Sequence, residues 1–485
     1  MINVAFFKRT GVVFLLKILI ALTGFLIQVQ LSRYVGIQQY GLLTLVFSVV
    51  NVLVLFPEMG MNTGIIRDIA AVADEGIRKW KIKITLASFF VFFVGTALIW
   101  YVFGDFILDK LTIPNELLSP ILVYTGVLAL SNILGGVLQG YQKNVYNDTI
   151  SLTASLIRMA LLYGFLMQSA SVSTAILIFI LSELAAAVIR VVLIGKRHAG
   201  VEMTAQPRAE VRKYLWYCVP LFFISSISIV QGSLHRFLVG GLLDSYSVGV
   251  MKICENYSSV LGLFVAPFIT MWPVMSEYYH SNRLAELKEL FHQASTVITM
   301  LVMPALVGMS VCYADLFSIF SLSASDSQSL FWVFVIFCVG IAYDAIIGPA
   351  GALLNMTEYS RIGLYNSLLL LVCTLIFNVT LIPWMGLIGA AAAFSLSHIV
   401  VNTLNALQNY RLFDMQPYGM SQLGLILAGI PAYLVLHQVS MIGVFHGWEH
   451  IVYAMGGAYL VYGFIFVLFY RKRVKSLANH FKRKK

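Results

Sequence analysis

Nine ionisable side chains stand inside otherwise apolar stretches of this 485-residue sequence: Lys17, Glu58, Arg158, Glu183, Arg190, Arg236, Lys252, Glu255 and Asp344. Buried cations can hold an anion, Arg as a bidentate fork and Lys as a point charge. Buried carboxylates can neutralise those cations or carry a proton. Position suggests two partnerships. Lys17 and Glu58 fall in the same half of successive apolar stretches and could pair. Arg158 and Glu183 each lie about eleven residues into their stretches, at equal depth for a rise of about 1.5 Å per residue, and could neutralise each other. Either pair is a bridge that fixes packing or part of a working site.

Helical spacing gathers further polar groups into stripes. Lys252 and Glu255 share one face with Asn256 and Ser259. Ser225, Ser228, Gly232 and Arg236 form a second stripe, and Lys17, Gly24 and Gln28 a third. His398, Asn402, Asn405 and Asn409 form a fourth. A helix polar on one side and apolar on the other lines a wet cavity or packs polar side chains against a neighbour. The first three stripes favour the cavity; for the fourth both readings stand, since Asn and His also join helices.

Catalytic and metal motifs are missing. There is no P-loop, and His446-Gly447-Trp448-Glu449-His450 lacks the spacing of a zinc-protease helix and reads as an interfacial loop. Cys218, Cys254, Cys312, Cys338 and Cys373 are scattered through apolar stretches without a C-x-x-C pair and read as small buried hydrophobes. The N-x-S/T matches, among them Asn147-Asp148-Thr149 and Asn355-Met356-Thr357, fall in expected helices or inside loops and read as chance. No catalytic residue, metal site or cofactor is expected.

The elements that must position these charges are membrane helices. The chain is 59% hydrophobic and 11% charged, with mean hydropathy +0.86, against about 25% charge in a soluble domain. Runs of about 20 apolar residues, enough to cross a bilayer, predict an all-α polytopic protein with about fourteen spans. They lie near 12–33, 42–66, 84–103, 119–141, 147–168, 172–194, 216–239, 246–271, 293–313, 329–349, 361–382, 387–409, 421–437 and 450–470. Pro383-Trp384-Met385-Gly386 supplies the turn in the long uncharged run from Ile362 to Tyr410. Nearly all loop Lys and Arg fall on one side, with only Arg33 and Lys110 on the other. By the positive-inside rule both termini are expected in the cytoplasm. That bias accounts for the net charge of +10 without nucleic acid, and the basic tail 471–485 reads as a solvated anchor touching anionic headgroups. The N-terminal run does not read as a cleaved signal peptide. The longest polar insertions, 67–83, 196–213 and 276–292, are too short for a soluble catalytic domain.

The sequence also echoes itself. Gly136-Val137-Leu138-Gln139 and Leu181-Ser182-Glu183 recur 215 residues on as Gly351-Ala352-Leu353-Leu354 and Leu396-Ser397-His398. Arg33 and Arg236 each end a span and are followed by a Tyr and a Gly that open the next, Tyr40-Gly41 and Tyr246-Ser247-Val248-Gly249. The expectation is two pseudo-symmetric six-helix lobes, 1–199 and 200–415, then an added helix pair, 416–470, and the tail. Such repeats suit a transporter with its substrate site between lobes.

These residues resemble the polysaccharide (Wzx-type) flippase family of the multidrug/oligosaccharidyl-lipid/polysaccharide exporter superfamily. The resemblance rests on Ser32-Arg33-Tyr34-Val35-Gly36, Gln39-Tyr40-Gly41, Glu58-Met59-Gly60-Met61 with Arg67 beyond it, and Leu138-Gln139-Gly140-Tyr141-Gln142. It continues through Pro220, His235-Arg236, Pro267 and Trp272-Pro273-Val274-Met275-Ser276, covering about residues 5 to 410. The sequence departs from the family at His235, where an acid is common, and at Gln39, where Glu is common.

The resemblance implies a secondary transporter that moves a polyprenyl-diphosphate-linked oligosaccharide of undecaprenyl type to the outer leaflet by alternating access, in a bacterial cytoplasmic membrane. Lys17, Arg33, Arg158, Arg236 and Lys252 become candidate cations for the diphosphate. Glu58, Glu183, His235, Glu255, Asp344 and His398 become candidates for ion pairing or for coupling to H⁺ or Na⁺. Membrane lipids and other polysaccharide assembly proteins are the implied partners. A multidrug or cation exporter of the same superfamily would want a more acidic, aromatic interior. A membrane glycan polymerase or ligase would want a long outer loop bearing Arg and His.

Overall fold

The computed structural model describes the backbone of residues 4–482 apart from 167–170, 266–267, 269–270, 323, 356, 358, 417–418 and 443–446. Pro267, Met356, His446, and the side chains of Trp272, Pro273 and the basic tail lie outside the described residues. Among the described residues every regular element is helical. In chain order these are α1 (Val4–Glu58), α2 (Met61–Ala71), α3 (Glu75–Lys110), α4 (Leu118–Gly140), α5 (Asn144–Leu166), α6 (Val172–Arg197), α7 (Arg208–Leu242), α8 (Ser245–Leu263), α9 (Trp272–His280), α10 (Leu284–Val311), α11 (Tyr313–Ile319), α12 (Ala324–Ser329), α13 (Phe331–Asn355), α14 (Ser360–Phe413), α15 (Met420–Leu427), α16 (Gly429–Met441) and α17 (Trp448–Lys482). Eight helical segments among the described residues are long and apolar enough to cross a bilayer. Two of them, in α1 and α14, are each broken by a non-helical glycine.

Those breaks are turns. Gly36 (φ 79°) divides α1, and the Tyr40 hydroxyl donates to Gln28 Oε1 at 2.9 Å across it, so the chain has folded back on itself. Gly386 (φ 58°) divides α14 at the end of the expected Pro383–Gly386 turn. A further break was not expected. The span near 42–66 stops at Glu58, passes through Met59 (φ 42°) and Gly60 (φ 74°), and restarts as α2. Gly60 is required twice over: its φ favours glycine, and a Cβ there would stand 2.5 Å from the carbonyl oxygen of Cys218 on α7.

Two compact units are formed, Met1–Val250 and Met251–Lys485. In the first, α4 packs against α2 and α6, while α1 packs against α5 and α7. Its core at the basic end includes Ile65, Ile69, Leu134, Val137, Ile150 and Ala186. The glycines flagged by the repeat meet elsewhere in this unit, at the start of the second half of α1. A Cβ on Gly41 would lie 1.7 Å from the Ser245 carbonyl oxygen and 2.7 Å from the Gly249 nitrogen, so the backbones touch as small residues allow between membrane helices. The outer face of α3 leaves Phe90, Val91, Leu98, Val102 and Phe106 exposed. A stripe of that size is untenable in water and expected against lipid.

In the second unit α13 packs against α14, and α10 packs against α13, α15, α16 and α17. The expected added pair therefore docks on α10, where Tyr459 donates to the Leu301 carbonyl at 2.9 Å. His450 meets Asp315 at 2.5 Å.

Candidate functional site

The centre of the first unit holds one continuous charged network. Arg158 of α5 pairs with Glu183 of α6 at 2.9 Å, as the equal depths predict. Both side chains are 15% exposed. Glu183 also accepts from Ser131 of α4 at 2.8 Å and faces Arg190 at 3.9 Å. Arg158 donates to Ser182 at 2.9 Å and lies over the Phe179 ring, 4.3 Å from its centroid. Arg190 donates to Ser131, to Asn147 at 3.1 Å and to Ser151 at 3.0 Å. Two guanidiniums thus share one carboxylate and four neutral acceptors, which take five of their ten donors without water. Arg158 is committed to holding α5 to α6.

Glu58 is buried at the α1–α2 break and accepts from Asn132 of α4 at 2.7 Å. The expected Lys17–Glu58 pair is not made: Lys17 is exposed and forms no ion pair among the described residues. The reason is the break itself, which ends the helix at Glu58 and aims its carboxylate at α4. Arg33 is exposed at the end of the first half of α1. On α7, His235 is buried, and the Arg236 guanidinium lies 3.4 Å from the Ser48 hydroxyl on α1. Gly24, on the Lys17 face, and Gly232, on the Arg236 face, have nothing within 4 Å of where a Cβ would stand. Both stripes therefore border open space.

In the second unit Lys252 and Glu255 pair along α8 at 3.3 Å. Asp344 of α13 meets His398 of α14 at 3.5 Å and accepts from Asn402 at 2.6 Å. Asn405 accepts from Asn366 at 2.7 Å, and Asn409 donates to the Ala350 carbonyl at 2.9 Å. Of the two readings left open for this stripe, interhelical bonding is the one built: His398, Asn402 and Asn409 join the second half of α14 to α13, and Asn405 joins it to the first half.

Sequence reasoning missed Asn132, Ser131, Asn147, Ser151, Asn366 and Gln408. The 215-residue offset could have found some of them. It carries Ser151 and Arg190, bonded at 3.0 Å, onto Asn366 and Asn405, bonded at 2.7 Å. It carries Glu183 onto His398. One scaffold position thus holds ions in the first unit and amides in the second.

A second charged cluster closes the basic end of the first unit. Glu75, at the start of α3, pairs with Arg78 at 2.8 Å and Arg197 at 2.7 Å, and accepts from the Tyr141 hydroxyl at 3.1 Å. Burial raises the Glu75 pKa, but the hydrogen bonds from Arg197 and Tyr141 outweigh it and hold the carboxyl below its ordinary value. The Glu75 hydrogen bond raises Arg197. Glu75 and Arg78 lie in the expected 67–83 insertion, most of which is helical, Arg197 lies in the 196–213 insertion, and Tyr141 follows α4.

The sequence profile of the family described as "Polysaccharide biosynthesis protein" matches residues 6–279. The chain is 22% identical over 429 residues, 82% of its length and 80% of the relative's, to an "Uncharacterized membrane protein in cps region" of Klebsiella pneumoniae. It is 23% identical over 256 residues, 51% of its length and 52% of the relative's, to "Probable flippase AglR" of Haloferax volcanii. Among solved structures it is similar to "Lipid II flippase MurJ, inward closed conformation", with TM-score 0.77 and 14% identity over 95% of this chain and 99% of that one. It is also similar to an inward-facing multidrug resistance MATE family transporter of the MOP superfamily, with TM-score 0.65 and 14% identity over 81% of this chain and 94% of that one. At those identities the structural matches establish the fold.

Proposed function

Because this chain belongs to the polysaccharide biosynthesis protein family, and is a multi-pass membrane transporter rather than an enzyme, we propose that it flips a polyprenyl-diphosphate-linked oligosaccharide from the cytoplasmic to the outer leaflet. The glycan would serve O-antigen, capsule or exopolysaccharide assembly. The membrane is the bacterial cytoplasmic membrane with both termini inside. Carrying the hydroxylated head through hydrocarbon without water costs several kcal/mol per unpaired polar group, so the head must cross in contact with polar and charged protein groups. Its diphosphate carries about two negative charges, for which Lys17, Arg33, Arg236 and Lys252 are the proposed cations. Arg158 is locked between α5 and α6 by Glu183 and Ser182 and is assigned to packing, whereas the longer Lys252–Glu255 pair lies along one helix.

One observation carries this reading: the family match spans residues 6–279 and so contains all four proposed cations. The open space beside Gly24 and Gly232, on the Lys17 and Arg236 faces, supports it. Movement would follow alternating access, driven by the membrane potential, at about 2.3 kcal/mol per charge per 100 mV, or by an ion acting through the buried acids and histidines. Deleting the gene in its native host should remove a surface glycan and leave its lipid-linked precursor on the cytoplasmic side. An unchanged surface glycan would rule the reading out.

A further inference from the structure

The basic end of the first unit carries a recess that the transport reading does not use. It holds about 230 Å³ and lies between the end of α4, the start of α5 and the end of α6. Leu138, Leu193 and Ile194 form its apolar wall, and Tyr141, Tyr146, Lys143 and Arg197 its polar rim. Lys143 is exposed, lies 5.4 Å from the centroid of the Tyr146 ring, and makes no ion pair among the described residues. Arg197 spends one amino group on Glu75 and rests its guanidinium 4.3 Å from the Tyr141 centroid. A guanidinium has five donors, so others remain for an acceptor in the recess.

The nearby carboxylates do not cancel these cations. Glu75 is shared among Arg78, Arg197 and Tyr141. Asp148, about one turn beyond Lys143, is buried and acts on Arg190. The recess also continues an apolar surface. On α6 the residues just before its wall, Val188, Val191 and Val192, are exposed, as a lipid-facing stripe is in a membrane transporter. Tyrosines at the level where that stripe ends are the usual marks of a headgroup boundary.

We propose that this recess binds an anionic glycerophospholipid, with the lipid phosphate between Lys143 and Arg197 and its glycerol and upper acyl chain against Leu138, Leu193 and Ile194. The order of the walls selects the ligand. A soluble phosphate would use only the rim, and a zwitterionic lipid would bring a second cation against Lys143. Bound there, the lipid joins the ends of α4, α5 and α6 beside the Glu75 cluster and steadies that end of the unit. The site stands whether or not the transport reading does. In the proposed orientation it faces the cytoplasmic leaflet.

The test is lipid binding by the purified full-length protein, read by native mass spectrometry. Dioleoyl-phosphatidylglycerol and dioleoyl-phosphatidylcholine are titrated separately, against wild type, K143A, K143E and K213E. Lys213 is exposed on α7 and, among the described residues, pairs only along its own helix with Glu210, so K213E makes the same charge change elsewhere. The expected result is one tight phosphatidylglycerol site that phosphatidylcholine does not fill. It should weaken about fivefold in K143A and roughly thirtyfold in K143E, on the scale of surface charges at membranes, and hold in K213E. Equal losses in K143E and K213E, equal binding of the two lipids, or displacement of phosphatidylglycerol by inorganic phosphate would each overturn the proposal. Because no transport is measured, failure here leaves the flippase reading intact.

Discussion

Glu183 is the carboxylate that meets both Arg158 and Arg190, so neutralising it is a sharp perturbation of the first unit. In Glu183→Gln the amide keeps a hydrogen bond to Ser131, but two guanidiniums, 2.9 and 3.9 Å from the lost charge, remain in a poorly hydrated interior. Removing one partner of a buried pair costs about 3–5 kcal/mol. With both side chains of the closer pair 15% exposed, the lower end, about 3 kcal/mol, applies. For a cooperative unit the size of Met1–Val250, that lowers the melting temperature by roughly 6 °C. The assay is thermal unfolding of detergent-purified protein followed by size-exclusion fluorescence, with exposed Asp105→Asn as the background. The double variant Arg158→Met/Glu183→Gln removes one stranded cation. It should be more stable than Glu183→Gln alone, with a coupling of about 1–2 kcal/mol. If the two single losses simply add in the double, Arg158 and Glu183 do not act as a pair and the reasoning is wrong.

Three further outcomes are expected. Gly41→Ala should cost about 3 kcal/mol or prevent folding, because its Cβ would stand 1.7 Å from the Ser245 oxygen. Gly24→Ala, with nothing within 4 Å, should be neutral or slightly stabilising; equal melting points for the two would contradict the close crossing. Asn405→Leu should lower stability by roughly 1 kcal/mol, the scale of one interhelical hydrogen bond in a membrane protein, and a melting curve identical to wild type would dismiss that bond. The Glu75 cluster should respond to acid. Its carboxyl is held below the usual value of 4.5, so its contribution is present above pH 4.5 and is lost as pH falls through the lower folded-state value. Melting points measured from about pH 6 down to about pH 3 should fall more steeply in wild type than in Glu75→Gln; parallel curves would refute the assignment.

Much of this was legible because hydropathy and depth are one-dimensional quantities. Runs of apolar residues marked the helices, and equal depth paired Arg158 with Glu183. Depth cannot say which way a side chain points. Lys17 and Glu58 matched in depth, yet the break at Met59-Gly60 turns Glu58 onto Asn132. That break was written in a single glycine whose need comes from α7 passing so close that a Cβ would stand 2.5 Å from the Cys218 carbonyl oxygen, a tertiary fact no local pattern contains. The stripe from His398 to Asn409 was visible as polar. Whether it met water or a neighbour depended on Asp344 and Asn366, which lie on helical segments it touches only after folding. The internal repeat reached further than its weak matches suggested, since one offset relates the Ser151–Arg190 and Asn366–Asn405 bonds. It also has a limit: α7, the expected start of the second lobe, packs with α1 and α2 in the first unit.

The central claim is that fixed cations on α1, α7 and α8 carry a lipid diphosphate. It is tested most directly by surface-glycan export in cells whose only copy is Arg236→Ala or Lys252→Ala, with membrane levels of the protein measured alongside. The account predicts that each variant reaches the membrane in normal amount and exports no glycan. Normal surface glycan in both single variants and in the double would contradict it.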